Sequence, residues 1–258
     1  MSYILETWKD PFGEGFSICE NRTIELKEGL TVLVGCNGIG KSTTLHNLEE
    51  SLKKDKMPYL VHDNLHEHGG SAALGRAMYA DNFTLGATLM TSSEGECITA
   101  NLGTTVGQLH DFLVTGMTDE AKRVARLQSA VKNIIDDHEY ETESPLPNNR
   151  FILMDAIDSG YSIDNVIALK DVLRMVIEDG QAMGNHMYVV ASANEYELAS
   201  GEQCLDVTTG SYLTFSNYED YKEFIIKSSR KKESRYKKKK PVKRKDRREV
   251  WERCKLDQ

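Results

Sequence analysis

Short apolar runs alternate with segments of helical periodicity along most of this 258-residue chain. The runs predict buried strands, and they read LTVLV at 30–34, PYLV at 58–61, RFILMD at 150–155 and HMYVVAS at 186–192. Helical periodicity follows the first run, fills two segments of 104–138 that are separated near Gly116, and covers 162–180. Such alternation predicts an α/β domain of three layers with a mostly parallel sheet.

The segment SIDNVIALKDVLRMVIEDG (162–180) predicts a single helix with defined ends. Ser162 suits the N-cap, and Gly180 lies where a helix commonly stops. Apolar residues recur at helical spacing and are predicted to share one face, namely Ile163, Val166, Ile167, Leu173, Val176 and Ile177.

A glycine-rich stretch, GCNGIGKST at 35–43, joins the first predicted strand to the first predicted helix. It has the spacing G-x-x-x-x-G-K-S of a P-loop, in which glycines let backbone N–H groups converge on phosphate. Lys41 would reach the terminal phosphates and Ser42 would bind Mg²⁺. A left-handed glycine turn before a helix would explain the glycines but not Lys41 and Ser42. The sequence therefore predicts ATP and Mg²⁺ as ligands of Asn37, Gly38, Ile39, Gly40, Lys41, Ser42 and Thr43.

Asp155 ends the apolar run RFILMD, where a carboxylate is costly to bury without a partner. Its position suits a second Mg²⁺ ligand acting through a water, as in P-loop enzymes. The alternative is a surface aspartate that closes a strand. Together with the loop, Asp155 predicts a P-loop NTPase fold with Ser42 and Asp155 on the metal side.

Composition narrows the class of protein. No run approaches the roughly 18 to 20 apolar residues of a membrane span, and the N-terminus lacks a basic start followed by an apolar core. A cytoplasmic protein without a membrane partner is therefore expected. The five cysteines show no C-x-x-C spacing, and His62, His66 and His68 are interpreted as part of a polar loop rather than a metal site.

The formal net charge of −8 conceals a strong asymmetry. Residues 227–258 contain 16 of the 32 Lys and Arg and 5 of the 40 Asp and Glu, a net charge of +11 against −19 for residues 1–226. The change in charge divides the chain into the predicted P-loop ATPase domain, 1–226, and a basic tail, 227–258, that is expected to be disordered or helical. Residues 230–248 could bind nucleic acid through phosphates, or the tail could be solvated or dock on the acidic body. Deleting 228–258 is expected to leave ATP affinity unchanged.

Four stretches of the chain resemble the motifs of one family and follow one another in the same order as those motifs. FILMDAIDSGYSID (151–164) resembles a Walker B motif and D-loop, and TSSEGE (91–96) resembles a signature motif that opens a helix. GCNGIGKST matches the form G-x-N-G-x-G-K-S-T, and ENRTIELKEGLTVLVG resembles the strand pair that precedes it. The chain thus resembles ABC-type ATPases of the soluble SMC and DNA-repair branch, and it is similar overall to small AAA-family ATPases of phages and bacteria.

The resemblance implies a head-to-tail sandwich dimer joined by ATP. Ser93 and Gly95 of one subunit would face the γ-phosphate held by the glycine-rich loop of the other. By itself, SSEGE would be an ordinary helix cap with Glu96 in the first turn. The Q-loop of the family should follow PYLV, where Asp63 or Asn64 is the candidate.

Two positions depart from the family pattern. Ala156 stands where the family has a catalytic Glu, and a methyl group cannot accept a proton. Asn194, or Ala193 if the register slips by one, stands where a histidine contacts the γ-phosphate. Asp158 either replaces the missing carboxylate or caps the following turn. The candidate catalytic residues are therefore Asp155, Asp158 and Asn194.

These patterns predict a soluble ATPase with slow or conditional hydrolysis. Its ATP-driven dimer would act as a switch with nucleic acid or with a protein partner. The alternative is a non-catalytic nucleotide-binding regulatory or scaffold protein.

Overall fold

A computed structural model of the chain describes residues 2–6, 19–21, 23–63, 94–118, 147–159 and 161–238. Within these residues the chain forms eight strands and five helices. The strands are β1 (Tyr3–Glu6), β2 (Thr23–Leu26), β3 (Gly29–Val34), β4 (Tyr59–Asp63), β5 (Asn149–Asp155), β6 (His186–Ser192), β7 (Gln203–Asp206) and β8 (Ser211–Leu213). The helices are α1 (Lys41–Lys54), α2 (Glu94–Thr115), α3 (Ile163–Ala182), α4 (Tyr196–Ala199) and α5 (Tyr218–Lys238).

Six of the strands form one sheet in the order β4-β5-β6-β3-β7-β8. All neighbours in it are parallel except β7 and β8, which pair antiparallel. Strands β1 and β2 form a separate antiparallel pair. The predicted α/β architecture with a mostly parallel sheet is thus confirmed. The two strands predicted as a pair before the glycine-rich loop, β2 and β3, both form but belong to different sheets.

Each face of the sheet carries its own core, because successive side chains of a strand point to opposite faces. Val32 and Val34 of β3 pack with residues of α2 and α3, whereas Leu33 packs on the other face with α1 and the β1–β2 pair. Central strands that are buried on both faces read as continuous apolar runs. That is why LTVLV and RFILMD show no polar alternation, and the result is the predicted three-layer arrangement.

Helix α3 begins where predicted, ends at Ala182 just beyond Gly180, and buries four of the six residues predicted to share its apolar face. It begins after Ser162 at the N-cap, and it buries Val166, Leu169, Leu173, Val176 and Ile177. The placement of Ile163 and Ile167 on that face was wrong, because their side chains are 59% and 47% exposed. Ile167 is rotated by about 100° from Val166, and Ile163 lies in the first turn.

Helix α5 crosses the predicted boundary at residues 226 and 227. Its N-terminal half packs on the domain through Tyr221, Phe224 and Ile225, and Ser228 is buried as well. The first part of the predicted tail, 227–238, is therefore helical and continuous with the domain, while 239–258 lie outside the described residues. Among the helices of the described ranges, none has both the length and the apolarity needed to cross a membrane.

Candidate functional site

The carboxyl ends of three neighbouring parallel strands meet at one edge of the sheet. The glycine-rich loop leaves β3 after Val34, Asp155 ends β5, and Ser192 ends β6, which lies between them. Strand β4 runs two residues beyond the predicted PYLV, so buried His62 lies in a strand rather than in the predicted loop. Asp63 is the register partner of Asp155 and ends at the same edge. Asn64, His66 and His68 lie outside the described residues.

The backbone of the loop needs its glycines. Gly35, Gly38 and Gly40 have φ values of 149°, 71° and 118°, a region that side chains with a Cβ rarely adopt. A Cβ on Gly35 would also lie 2.7 Å from Cγ2 of Ile39. The amide of Ile39 donates to the carbonyl of Cys36 at 3.2 Å and closes the turn.

Helix α1 begins directly after this loop, so the N–H groups of its first turn point back towards the loop. Gly40 is the N-cap and provides no side chain to cap the helix. The first amide to find a backbone carbonyl is that of Thr44, which donates to Gly40 at 2.9 Å. Within the described ranges, no acceptor takes the amides of Lys41, Ser42 or Thr43. Open amides at the positive end of a helix dipole favour an anion.

Lys41 brings a buried cation to the same place. Its side chain is only 9% exposed, and its Nζ donates to the carbonyl of Gly35 at 2.8 Å and to Oδ1 of Asn194 at 2.9 Å. Burial lowers the pKa of Lys41 below the ordinary lysine value, while the negative charges of Asp158 and Asp155 oppose that shift. No described carboxylate lies within 4 Å of this ammonium, so both of its contacts are neutral oxygens.

Asp155 is held in place by the end of the neighbouring strand. The hydroxyl of buried Ser192 donates to Oδ1 of Asp155 and accepts the N–H of Ala156 at 2.8 Å. Ala156 has φ 50°, a left-handed conformation that costs an L residue about 1–2 kcal/mol. The predicted metal ligand therefore has a fixed orientation, and the chain turns sharply straight after it.

Asp158 makes a contact that neither sequence interpretation anticipated. Its side chain is 4% exposed, and its Oδ2 accepts the N–H of Asn194 and, at 2.6 Å, the N–H of Glu195. It thus caps the loop that follows β6, not the turn that follows β5. Its second oxygen, Oδ1, is buried and has no hydrogen-bond partner among the described residues.

Of the two residues considered for the segment after β6, only one contacts Lys41 among the described residues. Ala193 is buried, whereas the side chain of Asn194 reaches the ammonium of Lys41. Asn194 is therefore the residue of this segment that belongs to the site, and its Oδ1 already has a partner.

Most of the predicted site residues lie at this edge, and the signature region is only partly described. The loop from Asn37 to Thr43, Asp155, Asp158 and Asn194 come together. The described part of helix α2 starts at Glu94, within TSSEGE, and includes Gly95. Ser93 lies outside the described residues, so its position opposite a second subunit stays a prediction.

Sequence reasoning missed four residues at the site, three of which belong to α5. Ser192 orients Asp155, as described above. The hydroxyl of Tyr221 donates to the carbonyl of Asn194 at 2.7 Å, Ser228 Oγ accepts the N–H of Cys36 at 3.2 Å, and Lys232 Nζ donates to the carbonyl of Asn37 at 2.5 Å. The helical periodicity of YEDYKEFIIKSSRKK was a usable signal for the helix. No local signal indicated its target.

Comparison with known proteins leaves the site to be interpreted from its own chemistry. A scan against models of protein families finds no match to this chain. A search of curated protein sequences finds no match either. The function has to follow from the loop, the buried cation and the two carboxylates.

Proposed function

We propose that the chain binds ATP with Mg²⁺ at the glycine-rich loop and is a P-loop NTPase of the ABC type. One observation carries the proposal: the buried ammonium of Lys41 lies beside a glycine loop and three helix amides, and among the described residues no carboxylate pairs with it and no acceptor takes those amides. Burying a cation this way is costly without a compensating anion. A polyphosphate would supply that anion and would accept the amides.

Phosphate would change the partners of Lys41. In the described state its Nζ is occupied by Gly35 O and Asn194 Oδ1, two neutral acceptors. A charge-assisted hydrogen bond to phosphate is roughly twice as strong as one to a neutral oxygen. Nucleotide binding is thus expected to draw the ammonium from these acceptors towards the terminal phosphates. The side-chain amide of Asn194 would then be free to form a hydrogen bond with the phosphate or with a water.

The residues present fit a magnesium ion on the metal side. The hydroxyl of Ser42 and the carboxylate of Asp155 are hard oxygen ligands, and Mg²⁺ binds through few protein oxygens together with water and substrate phosphates. When bound, the ion would neutralise charge on the terminal phosphates. Ser192 would hold Asp155 ready for a water of that ion, because its hydroxyl fixes one carboxylate oxygen.

Replacing Asp155 with Asn tests this assignment. The exchange keeps the shape of the side chain and removes its charge. The affinity for Mg²⁺, measured through its effect on ATP binding, should therefore fall by about 10- to 100-fold, as for other residues that bind a metal through an outer shell. Calorimetry with ATP at a series of Mg²⁺ concentrations measures it. ATP binding without Mg²⁺ should change little or improve, since a negative charge near the phosphates is lost. Equal Mg²⁺ dependence in both proteins would remove Asp155 from the metal side.

Hydrolysis is proposed to be slow. The turn that follows Asp155 at the end of β5 has Ala156 where a catalytic carboxylate is expected. Asp158 has one oxygen committed to the amides after β6, and Asn194 cannot become cationic. The same features favour the second candidate function, a nucleotide-binding regulatory or scaffold protein without turnover. Magnesium-dependent phosphate release above the level of a Lys41→Ala protein separates the two.

A homodimer closed by ATP follows from the signature-like segment. Ser93 and Gly95 would contact the γ-phosphate bound by the partner copy, and slow hydrolysis would make the closed dimer long-lived. The basic residues of 230–248 would recruit nucleic acid without sequence preference, through release of counterions.

Analytical ultracentrifugation tests the dimer directly. With magnesium ATP the parent protein should sediment as a dimer, and Lys41→Ala should stay a monomer. Ser93→Arg should bind ATP but also remain monomeric, because a bulky side chain blocks the close approach of the second subunit. A parent that remains a monomer with ATP, or an oligomer indifferent to nucleotide and to both substitutions, would contradict the sandwich.

A further inference from the structure

We propose that helix α5 is part of the nucleotide site, with Ser228 and Lys232 as positioning residues that set the direction of the loop amides. The inference rests on the proposed function, since it assigns these residues to phosphate binding by the glycine-rich loop. It starts from two hydrogen bonds that join residues more than 190 positions apart in the chain.

Because the peptide bond is planar, a contact that fixes a carbonyl also fixes the direction of the next residue's N–H. In a trans peptide the C=O of one residue and the N–H of the next point in opposite directions. Lys232 Nζ holds the carbonyl of Asn37 at 2.5 Å. The N–H of Gly38, in the same peptide plane, therefore points away from Lys232. A cation on the carbonyl also polarises the peptide and strengthens that N–H as a donor.

The peptide between Gly35 and Cys36 is held from both sides. Lys41 Nζ donates to the carbonyl of Gly35 at 2.8 Å, and Ser228 Oγ accepts the N–H of Cys36 at 3.2 Å. The amide of Cys36 is therefore committed to α5, while the amide of Gly38 has no acceptor among the described residues. Helix α5 thus engages the amide of Cys36 and leaves the amide of Gly38 available to a ligand.

The loop needs such support because glycine is conformationally free. Gly38 has φ 71°, and glycine loses more conformational entropy on ordering than any other residue. Lys232 fills the space beside it, since a Cβ built on Gly38 would lie 2.9 Å from Lys232 Nζ. Preorganised donors bind an anion more tightly than donors that must first be ordered.

The described hydrogen bonds from α5 to the site come from one face of the helix. Tyr221, Ser228 and Lys232 are separated by seven and four residues, which places them within about 40° of each other around a helix. Tyr221 holds the carbonyl of Asn194, so the same face reaches the segment after β6 as well as the glycine-rich loop. On this proposal, deleting the chain from residue 228 onward lowers ATP affinity, which differs from the expectation drawn from the sequence.

Calorimetry with magnesium ATP tests the proposal in the full-length protein. Ser228→Ala and Lys232→Ala should each weaken ATP binding by about 3- to 10-fold, the net value of a hydrogen bond of this kind. Lys231→Ala is the matched control, because it removes the same charge from the next position of the helix and should bind ATP as the parent does. Lys232→Arg retains a donor and should recover most of the affinity. Deletion of 239–258 should leave ATP affinity intact, and deletion of 228–258 should reduce it.

Hydrogen exchange at the loop provides a readout without nucleotide. Amides of the glycine-rich loop should exchange faster in Ser228→Ala and Lys232→Ala than in the parent and in Lys231→Ala, while the strands keep their protection. If ATP binds the parent and Lys41→Ala weakens it, but Lys232→Ala behaves like Lys231→Ala in both measurements, the positioning role is overturned and the proposed function stands. If the parent binds no ATP, the proposed function fails, and loop exchange alone then decides whether α5 orders the loop.

Discussion

Replacing Ala156 with Glu should raise the rate of ATP hydrolysis by about 10²- to 10⁴-fold, the usual contribution of a positioned general base. The residue follows Asp155 directly at the end of β5, where a carboxylate would lie close to the terminal phosphates proposed for the loop. Its backbone is already fixed by the hydrogen bond from its N–H to Ser192 Oγ. Ala156 carries a Cβ at φ 50°, so a longer side chain adds little backbone strain at this position.

Single-turnover measurement of phosphate release compares three proteins. The parent should be slow, Ala156→Glu fast, and Ala156→Gln as slow as the parent, because an amide has the size of Glu but cannot take a proton. Thermal unfolding of the three proteins controls for loss of folded protein. A fast parent would place the base elsewhere, and Asp158 would then be the carboxylate to test. An equal gain in the Gln and Glu proteins would indicate an effect of size, not of proton transfer.

Replacing Lys41 with Ala should weaken ATP binding by about 10- to 150-fold, which corresponds to the loss of a charge-assisted hydrogen bond of about 1.5–3 kcal/mol. Lys41→Met is the better-matched variant, since it keeps most of the volume of a side chain that is 9% exposed. Because burial disfavours the ammonium, neither substitution should lower the melting temperature much. Titration calorimetry and thermal unfolding together separate a lost contact from lost folding. Unchanged ATP affinity in both variants would exclude the loop as the phosphate site.

The pH dependence of ATP binding offers a second measure of Lys41. Its pKa is lowered by burial, so in the free protein the ammonium is present below that pKa and is lost as the pH rises through it. ATP affinity should therefore fall on the alkaline side at a lower pH than an ordinary exposed lysine would give. Lys41→Met should lack this fall. An identical pH profile in the variant would assign the titration to another group.

How far the sequence could predict the site depended on the distance between its parts along the chain. The glycine-rich loop was predictable because Gly35, Lys41 and Ser42 lie within eight residues, and their roles follow from backbone geometry and side-chain chemistry. Asp155 was predictable because it ends an apolar run. The contact of Asp158 was not, since its partners at 194 and 195 follow another strand. The burial of Ile163 and Ile167 was misjudged, because periodicity shows which apolar residues share a side of the helix but not which of them the rest of the domain covers.

The sequence by itself determined the alternation of strands and helices, the glycine-rich loop and the identity of the cation and carboxylate beside it. These are local properties, because they arise from side-chain periodicity, turn geometry and spacing within a few residues. Only the tertiary structure decided that β6 lies between β3 and β5, that Asn194 rather than Ala193 reaches Lys41, and that α5 lies against the loop. Those contacts depend on strand order and on packing between residues up to 195 positions apart. No pattern within a single segment carries that information.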